Sequence, residues 1–64
     1  MYTLEKVLEL VNAGEDIYCE LYRSDRSITC GWLSDMELKP DTRIEMYGVE
    51  TDVDGVEYLV LYLA

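Results

Sequence analysis

The sequence contains no histidine and no phenylalanine, and it has only one proline, four glycines, two cysteines and five basic residues. Without histidine, the chain lacks the side chain that most often serves as a general base near neutral pH and most often binds a metal ion. The glycines stand apart at positions 14, 31, 48 and 55, so no glycine-rich phosphate-binding loop is present. We therefore expect a protein that is not an enzyme and that uses no cofactor or metal.

Long apolar stretches are also missing. No run approaches the roughly 20 apolar residues of a membrane-spanning helix, and the N-terminus lacks the basic and apolar segments of a secretory signal. The 64 residues suffice for one small domain, which buries only about 60% of its unfolded surface. We expect a single domain over residues 1–64, located in the cytoplasm and not associated with a membrane.

Acidic residues dominate what the sequence does contain. Fourteen acids stand against five bases, which gives a formal net charge of −9. Residues 44–64 hold five acids and no base, whereas the acids and bases of residues 22–43 cancel. A field of this sign repels phosphate backbones and anionic lipids, so direct binding of nucleic acid or of a membrane surface is disfavoured. Basic protein surfaces are the natural partners, and the alternative is that the acidity serves solubility alone.

The N-terminal segment is typical of an amphipathic helix. Its apolar residues follow the i, i+3, i+4, i+7 spacing of one helix face: Leu4, Val7, Leu8 and Val11. Thr3 is suited to cap the N-terminus, and Gly14 stands where a glycine commonly follows the last turn. The pattern predicts a helix over residues 4–13.

The next segment predicts a β-hairpin. Residues 17–32 alternate in polarity with a period of two around the polar turn 23–26. A loop centred on Ser24-Asp25 places one apolar set on the same face: Ile17, Cys19, Leu21, Ile28, Cys30 and Trp32. In this register Cys19 lies opposite Cys30. We interpret the pair as small buried hydrophobic side chains, with a cross-strand disulfide as the alternative.

A short link and a second hairpin follow. Residues 34–37 have the S-x-x-E form of a capping box, but Pro40 comes too soon for more than one helical turn over residues 34–41. A strand is predicted from Thr42 to Val49, Asp54-Gly55 is a strong turn signal, and Val56 to Leu63 is a last strand. That strand is apolar on both faces, which indicates a central strand or one whose outer face meets a partner.

These elements predict an α+β fold in which the N-terminal helix packs on a four-stranded antiparallel sheet made of the two hairpins. A small coiled β-barrel with one helix is the alternative. The second hairpin has two registers, depending on whether its loop is even or bulged. With the even loop, Val49 and Val60 share the face left open by the helix with five tyrosines: Tyr18, Tyr22, Tyr47, Tyr58 and Tyr62. An open Tyr/Val face is typical of a protein interface.

The segment Glu50 to Gly55 resembles the first half of an EF-hand calcium loop, with acids at positions one, three and five and glycine at six. Position twelve should be a bidentate glutamate and is Leu61, and the flanking segments read as strands. We therefore interpret this segment as an acidic hairpin turn and not as a calcium site.

Two hypotheses of function remain. The first is a non-enzymatic acidic protein-binding module that occupies the basic surface of a nucleic-acid-handling enzyme, with carboxylates standing in for phosphates. Its expected contact residues are Glu20, Glu45, Glu50, Asp52, Asp54 and Glu57. In size and charge the chain resembles the small DNA-mimicking inhibitors, of anti-restriction or anti-CRISPR type, that bacteriophages and mobile elements make.

The second hypothesis is a small structural or regulatory homodimer that associates through the Tyr/Val face. In that case the acidity serves only solubility. A third arrangement, in which the sheet tyrosines stack on a single-stranded nucleic acid, lacks the basic groove that such proteins use. Only Arg23, Arg26, Lys39 and Arg43 are available for one.

Overall fold

A computed structural model describes residues 1–13 and 16–64. Its elements are β1 (Tyr2–Thr3), α1 (Leu4–Val11), β2 (Tyr18–Arg23), β3 (Arg26–Trp32), a 3-10 helix (Leu33–Asp35), β4 (Arg43–Thr51) and β5 (Glu57–Leu63). In this part of the chain the fold is α+β, with one α-helix and a five-stranded mixed sheet in the order β1-β4-β5-β2-β3. Neither described helix is long and apolar enough to cross a membrane.

The helix begins where the sequence predicts. The Thr3 hydroxyl oxygen accepts a hydrogen bond from the backbone N–H of Lys6 at 3.2 Å, which satisfies one of the free N–H groups of the first turn. The helix ends at Val11, two residues earlier than predicted, because Asn12 adopts the left-handed conformation with φ 53°. The predicted C-terminal glycine, Gly14, lies outside the described residues.

The sheet differs from the predicted four-stranded antiparallel arrangement. The two hairpins form as local pairs, but β2 pairs with β5 in parallel, and β1 adds a fifth strand through the pairing of Tyr2 with Ile44. The apolar β5 is the middle strand, as its sequence indicated, and it joins the two hairpins. Because the sheet has two edges, β1 and β3, the closed-barrel alternative is also wrong.

The core lies between α1 and one face of the sheet, which we call the helix side. Helix residues Leu4 and Val7 pack there against six buried sheet residues: Cys19, Leu21, Ile44, Leu59, Leu61 and Leu63. The segment from Leu33 to Leu38 extends the cover beside the helix. The residues that follow this segment are tied to the start of the helix, since the N–H groups of Leu4 and Glu5 donate to the carbonyls of Thr42 at 2.8 Å and Pro40 at 2.9 Å.

Ser34 has a different role from the predicted capping box. Its backbone N–H and its hydroxyl both donate to the carboxylate of Asp16, at 3.1 and 2.8 Å. These bonds tie the start of the link to the residues before β2, and the hydroxyl bond lowers the pKa of Asp16. The 3-10 helix that begins at Leu33 has no side-chain cap, so the single helical turn forms without a capping box.

The first hairpin turns where predicted but changes register. Ser24 and Asp25 occupy the turn with φ of 51° and 65°. A β-bulge then pairs Leu21 with Thr29 where the prediction had Ile28. A shift of one residue moves every later side chain of β3 to the other face.

The predicted pairing of the two cysteines is therefore wrong. Cys19 is buried on the helix side opposite Gly31, whereas Cys30 is exposed on the other face opposite Glu20. Both are free thiols. Trp32 moves with Cys30, so it lies beside Tyr18 and not in the core.

The second hairpin differs from the predicted even-loop register. Its strands are joined by five residues, 52–56, and β4 carries a bulge between Ile44 and Met46. Ile44 therefore stays on the helix side, whereas Met46 lies opposite Tyr62 on the other face. The predicted placement of Tyr47 and Val49 on the uncovered face is wrong, because the odd loop reverses their parity.

Candidate binding face

The sheet face opposite α1 has no covering layer in the described part of the chain. We call it the open face. The alternation of side chains along four adjacent strands assigns to it Tyr18, Glu20, Tyr22, Cys30, Trp32, Met46, Gly48, Glu50, Tyr58, Val60 and Tyr62. It combines aromatic rings with acidic side chains.

The aromatic side chains of the open face pack in an ordered way. The parallel pairing of β2 with β5 sets Tyr22 beside Tyr62, and their rings stack with centroids 5.3 Å apart. Tyr18 and Trp32 meet edge to face at 5.6 Å. Val60 stands between Tyr58 and Tyr62 along β5 and is only 9% exposed. The large neighbouring side chains thus shield the centre of the face even without a covering element.

Carboxylates surround these rings and shift their ionisation. The hydroxyl of Tyr22 donates to Glu20 Oε1 at 3.2 Å, which raises the pKa of Tyr22. Partial burial raises the pKa of Tyr58, and the charges of Glu20, Glu50 and Asp52 raise it further. Within residues 1–13 and 16–64, the alternation places one base on this side of the sheet, Arg43, which precedes the helix-side Ile44 at the end of β4 farthest from Glu50 and Asp52. The potential around Glu20, Glu50 and Asp52 is therefore negative.

The position of Asp52 is fixed by its own loop. Asp52 Oδ1 accepts hydrogen bonds from the backbone N–H groups of Asp54 at 2.8 Å and Val56 at 3.0 Å. Gly55 completes the turn with φ 82°, a conformation that favours glycine. The acidic segment that resembles half of a calcium loop thus forms a hairpin connection that holds one carboxylate at the end of the open face.

A cleft opens at this end of the face. It has a volume of about 380 Å³ and is lined by Tyr18, Glu20, Trp32, Asp52, Val56 and Tyr58. We call it the aromatic cleft. Three of its lining residues are aromatic and two are acidic, and Trp32 is 49% exposed there. Such a cleft offers flat rings and carboxylate oxygens to the same ligand.

The structure places the predicted acidic residues in different parts of the molecule. Glu20, Glu50 and Asp52 come together around Tyr58. Asp54 lies in the nearby loop, and Glu57 pairs with Thr51 on the opposite side of the sheet from Tyr58. Glu45 stands apart at the bulge of β4, near the other end of the sheet.

The predicted aromatic residues are mostly brought together. Four of them share the open face: Tyr18, Tyr22, Tyr58 and Tyr62. Tyr47 lies on the helix side, where its ring meets Tyr2 edge to face at 5.1 Å and packs against the core.

Sequence reasoning missed Trp32, Met46 and Val56. The first two reach the open face because of a bulge or an odd loop, and a strict period of two assigns them to the core. One signal was available for Trp32, since only the shifted register sets its ring beside Tyr18 on a neighbouring strand.

No protein-family model matches the chain, and no curated protein and no solved structure matches it. The candidate site therefore rests on the geometry and the charge of the described residues.

Proposed function

We propose that the protein is a non-enzymatic acidic binding module whose open face docks onto the basic surface of a partner protein. One observation carries this proposal: the open face joins packed aromatic rings to Glu20 and Glu50, with Asp52 at its end, and no basic side chain lines the cleft between them in the described residues. Aromatic residues supply contact area at protein interfaces, and complementary charge supplies specificity and fast association.

The partner that fits this face is a nucleic-acid-handling enzyme. Extended basic surfaces are the footprint of proteins that hold nucleic acid, and a net charge of −9 on 64 residues steers a small protein toward them. The carboxylates then occupy positions that phosphates otherwise take, and the module acts as an inhibitor. The resemblance in size and charge to phage anti-restriction and anti-CRISPR proteins supports the same class. The charge also disfavours direct binding of nucleic acid by this face.

A homodimer through the open face is the alternative. It is favoured by the exposure of Trp32 and Met46, at 49% and 56%. An ordinary interface buries about 800 Å² per partner, about one sixth of the protein's 4699 Å² surface. Two open faces, however, bring acids toward acids, whereas a basic partner neutralises them. The charge therefore favours a foreign basic partner over a second copy.

Capture from a bacterial lysate with matched variants tests the proposal. The immobilised protein is loaded at low salt, retained proteins are eluted with rising salt, and each captured protein is challenged with DNA or RNA. Glu50→Lys reverses a charge on the open face, and Glu5→Lys makes the same change on the exposed side of α1. We expect Glu50→Lys to weaken binding about tenfold or more and Glu5→Lys to have little effect.

Three results would contradict the proposal. They are equal retention by the two variants, binding that is insensitive to salt, and captured proteins that nucleic acid does not displace. Sedimentation of the purified protein separates the alternative, because a homodimer would sediment as a dimer that Met46→Lys dissociates. A monomer would leave the foreign partner as the occupant of the face.

A further inference from the structure

We propose that the aromatic cleft is an arginine-binding site that takes one guanidinium group from the partner's basic surface. This inference rests on the proposed function and names the chemistry by which the same face recognises its partner. It follows from the shape of the cleft, from its carboxylate oxygens, and from the lack of a basic side chain among the described residues that line it.

The shape suits a flat cation. The rings of Tyr18 and Trp32 meet at 86° and form a corner, and Tyr58, beside Tyr18 on the neighbouring strand, also lines the cleft. The volume of about 380 Å³ lies at the lower end of the range of roughly 300–1,000 Å³ for ligand pockets, which suits one side chain. A guanidinium group stacks on aromatic faces and is attracted by their negative π-clouds.

The two carboxylates each retain one free oxygen. Glu20 Oε1 accepts from Tyr22, and Asp52 Oδ1 accepts from two backbone N–H groups. The second oxygen of each carboxylate, Oε2 and Oδ2, receives no hydrogen bond from the described residues. The cleft therefore presents two carboxylate oxygens that a donor from outside can satisfy.

The donor count favours arginine over other cations. A guanidinium group carries five N–H donors in a fixed plane, so it reaches two carboxylate oxygens while its face lies on a ring. A lysine ammonium is a compact and strongly hydrated charge that gains less from an aromatic surface. A quaternary ammonium has no N–H and leaves both oxygens without a donor.

No base of the chain competes for the cleft within residues 1–13 and 16–64. The ion pair found there joins Lys6 to Glu9 on the surface of the helix, at 3.7 Å. Arg23 and Arg26 are opposite each other in the register next to the turn of the first hairpin, Arg43 begins β4 at the end of the sheet away from Asp52, and neither these residues nor Lys39 line the cleft. Charge complementarity thus has to come from a partner.

Tryptophan fluorescence tests the site directly, because Trp32 is the sole tryptophan of the chain and lines the cleft. The probes are a capped Gly-Arg-Gly peptide and its Gly-Lys-Gly counterpart, titrated at low salt into the 64-residue protein. We expect a saturable change with the arginine peptide and about threefold or greater preference over lysine. Glu20→Gln and Asp52→Asn should each weaken binding about fivefold.

Glu45→Gln is the matched control, since it removes the same charge near the other end of the sheet. We expect it to change the affinity less than about twofold. Asp52→Asn keeps an oxygen that accepts the loop hydrogen bonds, and circular dichroism verifies that every variant is folded. Glu20 lies in β2 and not in the loop that holds Asp52, so the result with Glu20→Gln does not depend on the structure of that loop.

The outcomes separate this inference from the proposed function. Equal affinity for both peptides, or equal loss in the cleft and control variants, would overturn the arginine site and leave a diffuse acidic docking face. Absence of binding by either peptide at low salt would also overturn the arginine site, whereas the proposed function is contradicted only by the capture results given above. Arginine preference with loss confined to Glu20→Gln and Asp52→Asn would support both.

Discussion

The two faces of the sheet are built on the same strands and differ in what their side chains require. On the helix side, β5 contributes Leu59, Leu61 and Leu63, which are at most 8% exposed and have no polar atom to satisfy. On the open face, the alternate residues of the same strand include Tyr58 and Tyr62, which keep hydroxyl groups for water or a partner. Folding buries the apolar side chains of one face and leaves the aromatic side chains of the other partly exposed.

The two faces of the sheet also differ in the environment that they offer to acidic side chains. Glu20 stands among the rings of the open face and is half-buried, whereas no charged side chain is buried in the described core. A carboxylate on the helix side would lose its hydration without a partner. On the open face it keeps water and orients the Tyr22 hydroxyl. Under the proposed function, these carboxylates lose their hydration on binding and not on folding.

Alanine substitutions at two neighbouring positions of β5 test this comparison with the largest expected effect. Leu61→Ala removes a fully buried side chain and should lower the free energy of unfolding by about 3 kcal/mol. Tyr62→Ala removes a ring stacked on Tyr22 and should cost about 1 kcal/mol. Urea unfolding followed by circular dichroism measures both. Equal losses would mean that the open face is a second core and not a binding surface.

The reactivity of the two cysteine thiols compares the two faces of the sheet in the unmutated protein. Burial raises the pKa of Cys19 from 9.0 to about 11, which reduces its reactive thiolate about a hundredfold near pH 8. Cys30 is exposed on the open face. With iodoacetamide we expect rapid labelling of Cys30, and labelling of Cys19 only in urea, as located by mass spectrometry. Rapid labelling of both thiols in the native protein would refute the assigned register of the first hairpin.

Alkaline titration gives the smallest effect and reports on the charge of the open face. The pKa values of Tyr22 and Tyr58 are raised above 10.0, so folding favours their neutral forms. The resulting stabilisation is complete below about pH 10 and is lost as the pH rises through the folded-state values. Glu20→Gln should lower both pKa values in an ultraviolet titration, whereas Glu45→Gln should not. No difference between these variants would remove Glu20 as a source of the field.

Local elements of the fold were predictable because their signals are local. Thr3 caps the helix as expected, and the first hairpin turns at Ser24-Asp25. The apolar pattern of the last strand indicated its central position. The two-residue β1 is too short to leave a pattern, and the parallel pair of β2 and β5 joins segments separated by more than thirty residues. Patterns among residues that are close in the sequence do not indicate which distant strands pair.

The candidate site was predictable in part. Tyr18, Tyr22, Tyr58 and Tyr62 were expected on one face, and they share it. Trp32 and Tyr47 were each assigned to the wrong face for the same physical reason. A strand repeats every two residues, so one extra residue in a bulge or loop inverts every later assignment. The alternating sequence pattern does not indicate where such an extra residue occurs.

The central position of β5 also constrains the order in which the protein can fold. The β2–β3 hairpin is local and can form within microseconds, but its inner edge stays unpaired until a strand from the far end of the described chain arrives. Non-local pairing of this kind slows folding in general. Until β5 pairs with β2, the backbone N–H and C=O groups along that edge of β2 are unpaired, and a strand of another unfolded chain can pair with them. The same strand that unites the sheet thus sets the interval in which the nascent protein is most prone to aggregate.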